Sequence, residues 1–180
     1  MTTPDPAPLV PGLANKIQLW ALDRLQPYEQ NAKIHGEDQV ELIAKSILDY
    51  GFNNPILVDG EDIIVAGHGR LLAAFLLEVL HPGALANGVP VVQLGHLTPA
   101  MRRAYTLADN RLAELAPWDE AKLAAELDAV AADANLDELG LGWSDEELAD
   151  LVNADDLAEV PTFEDELDQV DEDKADDPIL

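Results

Sequence analysis

Apolar residues recur at two distinct periods along the chain, and each change of period marks an element. Ile17 to Leu22 reads as a first strand, closed by the turn-like run from Asp23 to Tyr28. Val40, Ile43, Ala44, Ile47 and Leu48 then fall on one stripe of a helix that begins near Glu37. Gly51 stops that helix as a C-terminal glycine cap. Pro55 to Val58 and Ile63 to Ala66 are short β-branched runs joined by Asp59-Gly60-Glu61-Asp62, a hairpin signal. The row from Leu71 to Leu80 is apolar all round except Glu78, which predicts a buried helix, broken by His81-Pro82-Gly83. Val89 to Leu94 is a further strand.

Capping residues mark the later helices. Thr98 as N-cap and Pro99 at the first helical position open a helix to about Leu115. Its core stripe is predicted as Met101, Ala104, Tyr105, Ala108, Leu112 and Leu115. Asp119 caps another helix to about Ala132, with Trp118 and Leu123 as a hydrophobic staple. Ser144 with Glu147 forms a capping box for a short helix ending near Val152, with Trp143 and Leu148 as its staple. The order β-α-β-β-α-β-α-α predicts a small α/β domain over 16–118. An acidic helical annex over 119–152 follows. Proline-rich residues 1–15 read as a flexible lead-in, and acidic, aperiodic residues 153–180 as a disordered tail.

Charge sharpens that division. The net charge is −26, yet residues 1–118 hold 13 acids against 8 Lys/Arg, while 119–180 hold 23 acids against 2 lysines. Phosphate contacts need clustered cations, so binding of the whole chain to nucleic acid is disfavoured. Any DNA contact must come from a local patch in the front part. A solvated, solubilising tail is the plain reading of the acidic back, beside a surface for a basic protein partner or a DNA mimic. There is no cysteine, which excludes disulfides, a thiol nucleophile and thiolate metal sites. The start of the chain lacks the pattern of a signal peptide, and no apolar run is long enough to span a bilayer, so a cytoplasmic location is expected.

Three segments carry candidate chemistry. Gly67-His68-Gly69-Arg70 sits where a strand feeds a helix, so backbone N–H groups and an arginine fork meet at a positive dipole end. A tight turn with a surface arginine explains the same residues. On the helix from Thr98, Arg102, Thr106 and Asp109 share a face, with Arg103 and Asn110 beside it. Arginines suit phosphates, and a carboxylate with a neighbouring amide suits Mg²⁺, although a solvated face is the simpler explanation. In the loop from Pro27 to His35, Glu29 or His35 could act as general base and Lys33 could meet a phosphate. The four histidines show no zinc spacing.

The succession "PYEQNAKIH", "QVELIAKSILDYGFNNPILV", "IIVAGHGRLLAA" and "VPVVQLGHLTPAMRRAYTLADNRLAELAPWD" resembles the ParB N-terminal domain, the ParB-like nuclease or ParB/sulfiredoxin fold. The likeness spans about positions 16–130 and is nearest the phage and mobile-element branch often fused to DNA methyltransferases. It implies a small mixed sheet with packed helices, and a site for a nucleoside triphosphate (CTP or ATP) with Mg²⁺. Gly67, Gly69 and Arg70 fall on the family's triphosphate-wrapping G-x-R-R segment, with His68 inside it and Leu71 in place of the second arginine. Asp109 and Asn110 match the acid and amide that hold Mg²⁺ and phosphate, and Gly51 matches the glycine beside the base. Asn31 to Lys33 loosely match the N-P-x-Q-x-R loop. The missing cysteine rules out sulfiredoxin chemistry, and the acidic annex replaces ParB's helix-turn-helix. The implied role is nucleotide binding, with hydrolysis, in a DNA transaction such as modification, segregation or phage replication, or, by the family's nuclease label, metal-dependent DNA cleavage. The acidic back instead offers a non-enzymatic interaction protein or DNA mimic on a degenerate front domain. Partners implied are nucleotide and DNA, the latter directly or through a methyltransferase.

Overall fold

A computed structural model describes residues 16–136 and 139–152. The lead-in and the acidic tail expected at the two ends lie outside the described residues. Element order is β1 (Gln18–Trp20), a 3-10 turn (Leu22–Arg24), α1 (Glu37–Tyr50), β2 (Ile56–Val58), β3 (Ile64–Ala66), α2 (His68–Leu80), β4 (Val89–Gln93), α3 (Pro99–Ala113), α4 (Glu120–Asp133) and α5 (Asp145–Val152). The fold is mixed α/β, as expected from the two periods. No helix among the described residues is long and apolar enough to cross a membrane.

The four strands form one sheet in the order β1-β4-β2-β3. β1 pairs antiparallel with β4, setting Leu19 opposite Pro90, and β4 runs parallel to β2, setting Val92 opposite Leu57. The hairpin expected at Asp59-Gly60 is present, with β2 and β3 antiparallel. Its left-handed residue, however, is Asp62 at φ 66° rather than the glycine. Asp59 fixes the turn by accepting from the N–H groups of Glu61 (2.8 Å) and Ile63 (3.0 Å).

α2 lies between two apolar clusters. Leu71 and Ala74 join Trp20, Leu25, Ile56, Val58, Ile64, Val89 and Val91 on the sheet. Ala73 and Leu77 join Ala44, with Val40, Ile43 and Ile47 of α1 packed alongside. Those two faces bury the helix on adjoining sides only. Leu72, Phe75, Val79 and Leu80 are therefore exposed, which corrects the expectation of a helix buried all round. Leu48 of the α1 stripe is exposed as well.

The larger correction concerns α3. Thr98 caps it as expected, its Oγ1 accepting from Met101 N. The buried side chains are nevertheless Arg102 and Thr106, while Met101, Tyr105, Leu112 and Leu115 are exposed. The polar face turns inward because Arg102 finds a buried partner there. Its Nη1 donates to Asp59 Oδ2 at 2.5 Å, and its guanidinium lies over the Tyr28 ring, 5.0 Å from the centroid.

The chain divides into two compact units. The first runs to Ala116 and includes Leu139–Gly142; the second takes in Pro117 onward with α4, and Trp143 onward with α5. Gly140 of the first unit donates its N–H to Asp49 at the end of α1. In the second, Asp119 caps α4 by accepting from Lys122 N, and Ser144 and Glu147 form the reciprocal capping box of α5. Among its described residues, Ala124, Leu127 and Leu148 are the buried apolar ones. Trp118 is exposed, with its ring 5.4 Å from that of Trp143.

Candidate functional site

β3 ends at Ala66, and Gly67 turns the chain directly into α2 with φ 104°. Only a glycine adopts that conformation without strain. A Cβ there would also lie 3.1 Å from Nη2 of Arg70. Arg70 folds back over the corner, and its Nη2 donates to the carbonyl of Pro55, just before β2. Its Nε is sealed from solvent and has no partner. A buried guanidinium nitrogen left without an acceptor calls for one. Burial pulls the Arg70 pKa below its ordinary value, and the negative charge of Asp109 acts in the opposite sense.

The second glycine serves a different end. A Cβ on Gly69 would meet Cδ1 of Ile43 at 2.9 Å and Nδ1 of His35 at 3.0 Å. Its lack of a side chain lets α1 and the loop before it close on α2. That close approach brings His35 to the corner, its Nδ1 held 2.9 Å from Gln39 Oε1.

These residues line a cleft of about 150 Å³ with Asn31, Gly67, His68, Gly69, Arg70, Asp109 and Asn110. Asp109 and Asn110 come from α3, and the Arg102–Asp59 pair that buries the α3 polar face fixes where they sit. Asn110 donates its Nδ2 to the Thr106 carbonyl at 2.8 Å, which leaves Oδ1 as the atom available to accept or ligate. The phenol pKa of Tyr105 is raised first by burial and then by the negative charge of the nearby Asp109 carboxylate. The imidazole of His68 accepts the Tyr28 N–H on Nε2 at 3.1 Å, and burial lowers its pKa to about 4, with His35 adding repulsion. A wider groove of about 500 Å³ adjoins the cleft and shares Ile43 and Arg70 with it; Gly51, Phe52, Asn53 and Asn54 lie on its wall.

The sequence-derived candidates therefore separate. Gly67, His68, Gly69, Arg70, His35, Asp109 and Asn110 converge on the cleft, and Gly51 lies in the adjoining groove. Arg102 does not line the cleft, because the buried pair with Asp59 holds it. Arg103 is exposed and absent from the cleft wall, since it sits a quarter-turn from the buried face. Glu29 lies on a separate depression with Pro27, Tyr28 and Arg102. Lys33 is paired with Glu114 at 2.5 Å. Asp59, the partner of Arg102, was missed by sequence reasoning; its place in a hairpin turn already accounted for it.

Fold and cleft together define a small mixed-sheet α/β domain with a glycine-arginine corner facing an Asp-Asn pair. No family model matches the chain. Over 88 residues, 49% of its length, it is 38% identical to the ParB-like nuclease domain-containing protein YnaK of Escherichia coli (strain K12), of which the match covers 93%. The chain belongs to the ParB-like nuclease domain family. Among solved structures, it resembles C-terminally truncated chromosome-partitioning protein ParB from Caulobacter crescentus, complexed with CTP-gamma-S. That likeness has a TM-score of 0.56 at 18% identity and covers 78% of this chain and 86% of the other, so it is a likeness of fold.

Proposed function

We propose that this chain is a nucleotide-binding ParB-like module that takes a Mg²⁺-nucleoside triphosphate, CTP or ATP, at the Gly67–Arg70 corner and serves a DNA transaction. One observation carries the reading. Two segments about forty residues apart, Gly67–Arg70 and Asp109-Asn110, line one polar cleft, and Arg70 on its wall carries a buried Nε with no acceptor. Phosphate oxygens supply that acceptor, and the first turn of α2 presents N–H groups beside it. The CTP-gamma-S complex of the C. crescentus fold relative supports the same ligand class.

The donor set fits a metal carried on phosphate. Mg²⁺ takes one or two protein oxygens and completes its shell with phosphate and water. Asp109 and Oδ1 of Asn110 would hold it, and it would neutralise charge on the phosphates. No group of three His, Asp or Glu among the described residues offers a site independent of the nucleotide. In this reading Arg70 grips the phosphates and the base lies beside Gly51, which lines the adjoining groove. Hydrolysis requires a group to orient or deprotonate water, and His35 is the candidate on the cleft wall. Melting curves with each of the four NTPs, with and without Mg²⁺, test binding; phosphate release tests hydrolysis. A Tm that no nucleotide raises contradicts the proposal.

The likeness to the ParB-like nuclease domain-containing protein YnaK favours a second reading, a metal-dependent nuclease. It needs a basic track beside the cleft. Arg24, Lys33, Lys45, Arg102 and Arg111 are all in ion pairs, so cationic surface for a duplex is scarce in the first unit. Plasmid cleavage by wild type that is lost in Asp109→Ala would favour this reading.

A further inference from the structure

The two ring nitrogens of His68 are not equivalent. Nε2 accepts the backbone N–H of Tyr28 at 3.1 Å. A main-chain amide can only donate, so Nε2 carries the lone pair and the ring proton sits on Nδ1. Nδ1 has no partner among the described residues and is not one of the buried polar atoms left unsatisfied, so it keeps access to the cleft that the residue lines. We propose that His68 is a fixed, uncharged hydrogen-bond donor, with Nδ1–H directed at an anionic phosphate oxygen of the ligand, and that it is neither general acid nor general base. This rests on the phosphate-binding reading above.

The main chain enforces the assignment. Protonating Nε2 would set N–H against N–H at the Tyr28 contact. Burial and the nearby His35 also disfavour the imidazolium, which keeps the ring neutral well below neutral pH. A general base at this position would need its lone pair toward the ligand, and here that pair faces Tyr28. His35 is arranged the other way. Its Nδ1 meets Gln39 Oε1, an acceptor, so Nδ1 holds the proton and Nε2 keeps the free lone pair.

A neutral donor also suits its neighbours. Arg70 supplies the positive charge of the cleft, and a second cation at the same corner would repel it. An N–H without net charge adds direction at a smaller desolvation cost. Arg70 thus provides attraction, and His68 fixes where the phosphate oxygen sits.

Long-range ¹H–¹⁵N spectra of the full chain near neutral pH read the tautomer without any ligand. The expected pattern is Nδ1–H for His68; an Nε2–H pattern overturns the proposal. Inorganic tripolyphosphate and the preferred nucleotide, each with Mg²⁺, are then titrated into wild type, and the His68 Nδ1–H resonance is expected to move downfield. This readout needs no variant. His68→Gln keeps an acceptor for Tyr28 but has no donor at the Nδ1 position, while His68→Asn keeps that donor. His68→Gln is expected to bind about tenfold more weakly, the scale of one hydrogen bond to a charged group, and His68→Asn to recover most of the loss. Tight binding with an unmoved Nδ1–H, or equal affinity in a folded His68→Gln, overturns the role of His68 and leaves the phosphate site standing. Failure of wild type to bind either ligand, with the Nδ1–H tautomer intact, overturns the phosphate site and the proposal with it.

Discussion

Arg102 of α3 meets Asp59 of the β2–β3 hairpin at 2.5 Å, with both side chains nearly closed to solvent. The pair reverses what the apolar stripe predicts for α3, because a charged side chain occupies the buried face and apolar ones face outward. Asp59 also accepts from Glu61 N and Ile63 N, so one carboxylate joins the helix to the turn. Removing either partner leaves a buried charge uncompensated. Arg102→Ala is expected to lower unfolding free energy by about 3–5 kcal/mol. Urea denaturation measures it, and a loss below about 1 kcal/mol would show the pair to be no more than a surface contact. The double variant Arg102→Met/Asp59→Leu is expected to lose less than the two single losses added together, because the two sites are coupled.

His68 sets a pH dependence. Burial, with His35 adding to it, lowers its pKa from 6.5 to about 4, so the folded chain binds fewer protons than the unfolded one between those values. Stability is then fully present above pH 6.5 and falls as pH drops toward 4. Asp59 acts lower still. Burial alone would raise its pKa, but Arg102 and the two backbone N–H groups outweigh burial and hold it below 3.8, so its contribution is lost only in stronger acid. Denaturant titrations at pH 7, 6 and 5 should show declining stability in wild type and a flatter profile in His68→Gln. Parallel profiles would mean that His68 titrates normally in the fold.

The two glycines of the corner should fail differently. Gly69→Ala drives a methyl into Ile43 and His35, an overpacking cost of about 1–3 kcal/mol. Gly67→Ala forces a left-handed φ of 104° on a residue with a Cβ and crowds Arg70. Gly67→Asn, which tolerates left-handed backbone better, should be milder than Gly67→Ala in thermal melts. Equal losses would mean that crowding, not backbone strain, decides the position.

Lys33 and Arg103 should prove dispensable for folding. Lys33 pairs with Glu114 across a half-exposed contact, and such pairs contribute about 1 kcal/mol or less. Arg103 is exposed. Lys33→Ala and Arg103→Ala are each expected to shift stability by under about 1 kcal/mol in urea, in contrast to Arg102→Ala.

Much of the fold was legible because local signals agreed with tertiary structure. Thr98-Pro99, Asp119 and the Ser144–Glu147 box marked helix starts through hydrogen bonds that the sequence itself specifies. The glycine-arginine corner was legible for the same reason, since strand, glycine and helix are contiguous. The face of α3 was not. A periodic stripe gives the direction of the apolar side but carries no information about a partner 43 residues away. Asp59, the residue that reverses α3, looked like an ordinary turn aspartate. Leu72, Phe75 and Val79 were misread because an all-apolar helix gives no sign of which sides find neighbours.

Calorimetric titration of Mg²⁺-nucleoside triphosphates into wild type, Arg70→Ala, Asp109→Ala and Arg103→Ala tests the central claim most directly. Micromolar binding by wild type and Arg103→Ala is expected for at least one nucleotide, with heat lost in Arg70→Ala and Asp109→Ala. The absence of heat with all four triphosphates and their diphosphates, or binding unchanged by Arg70→Ala, would contradict it.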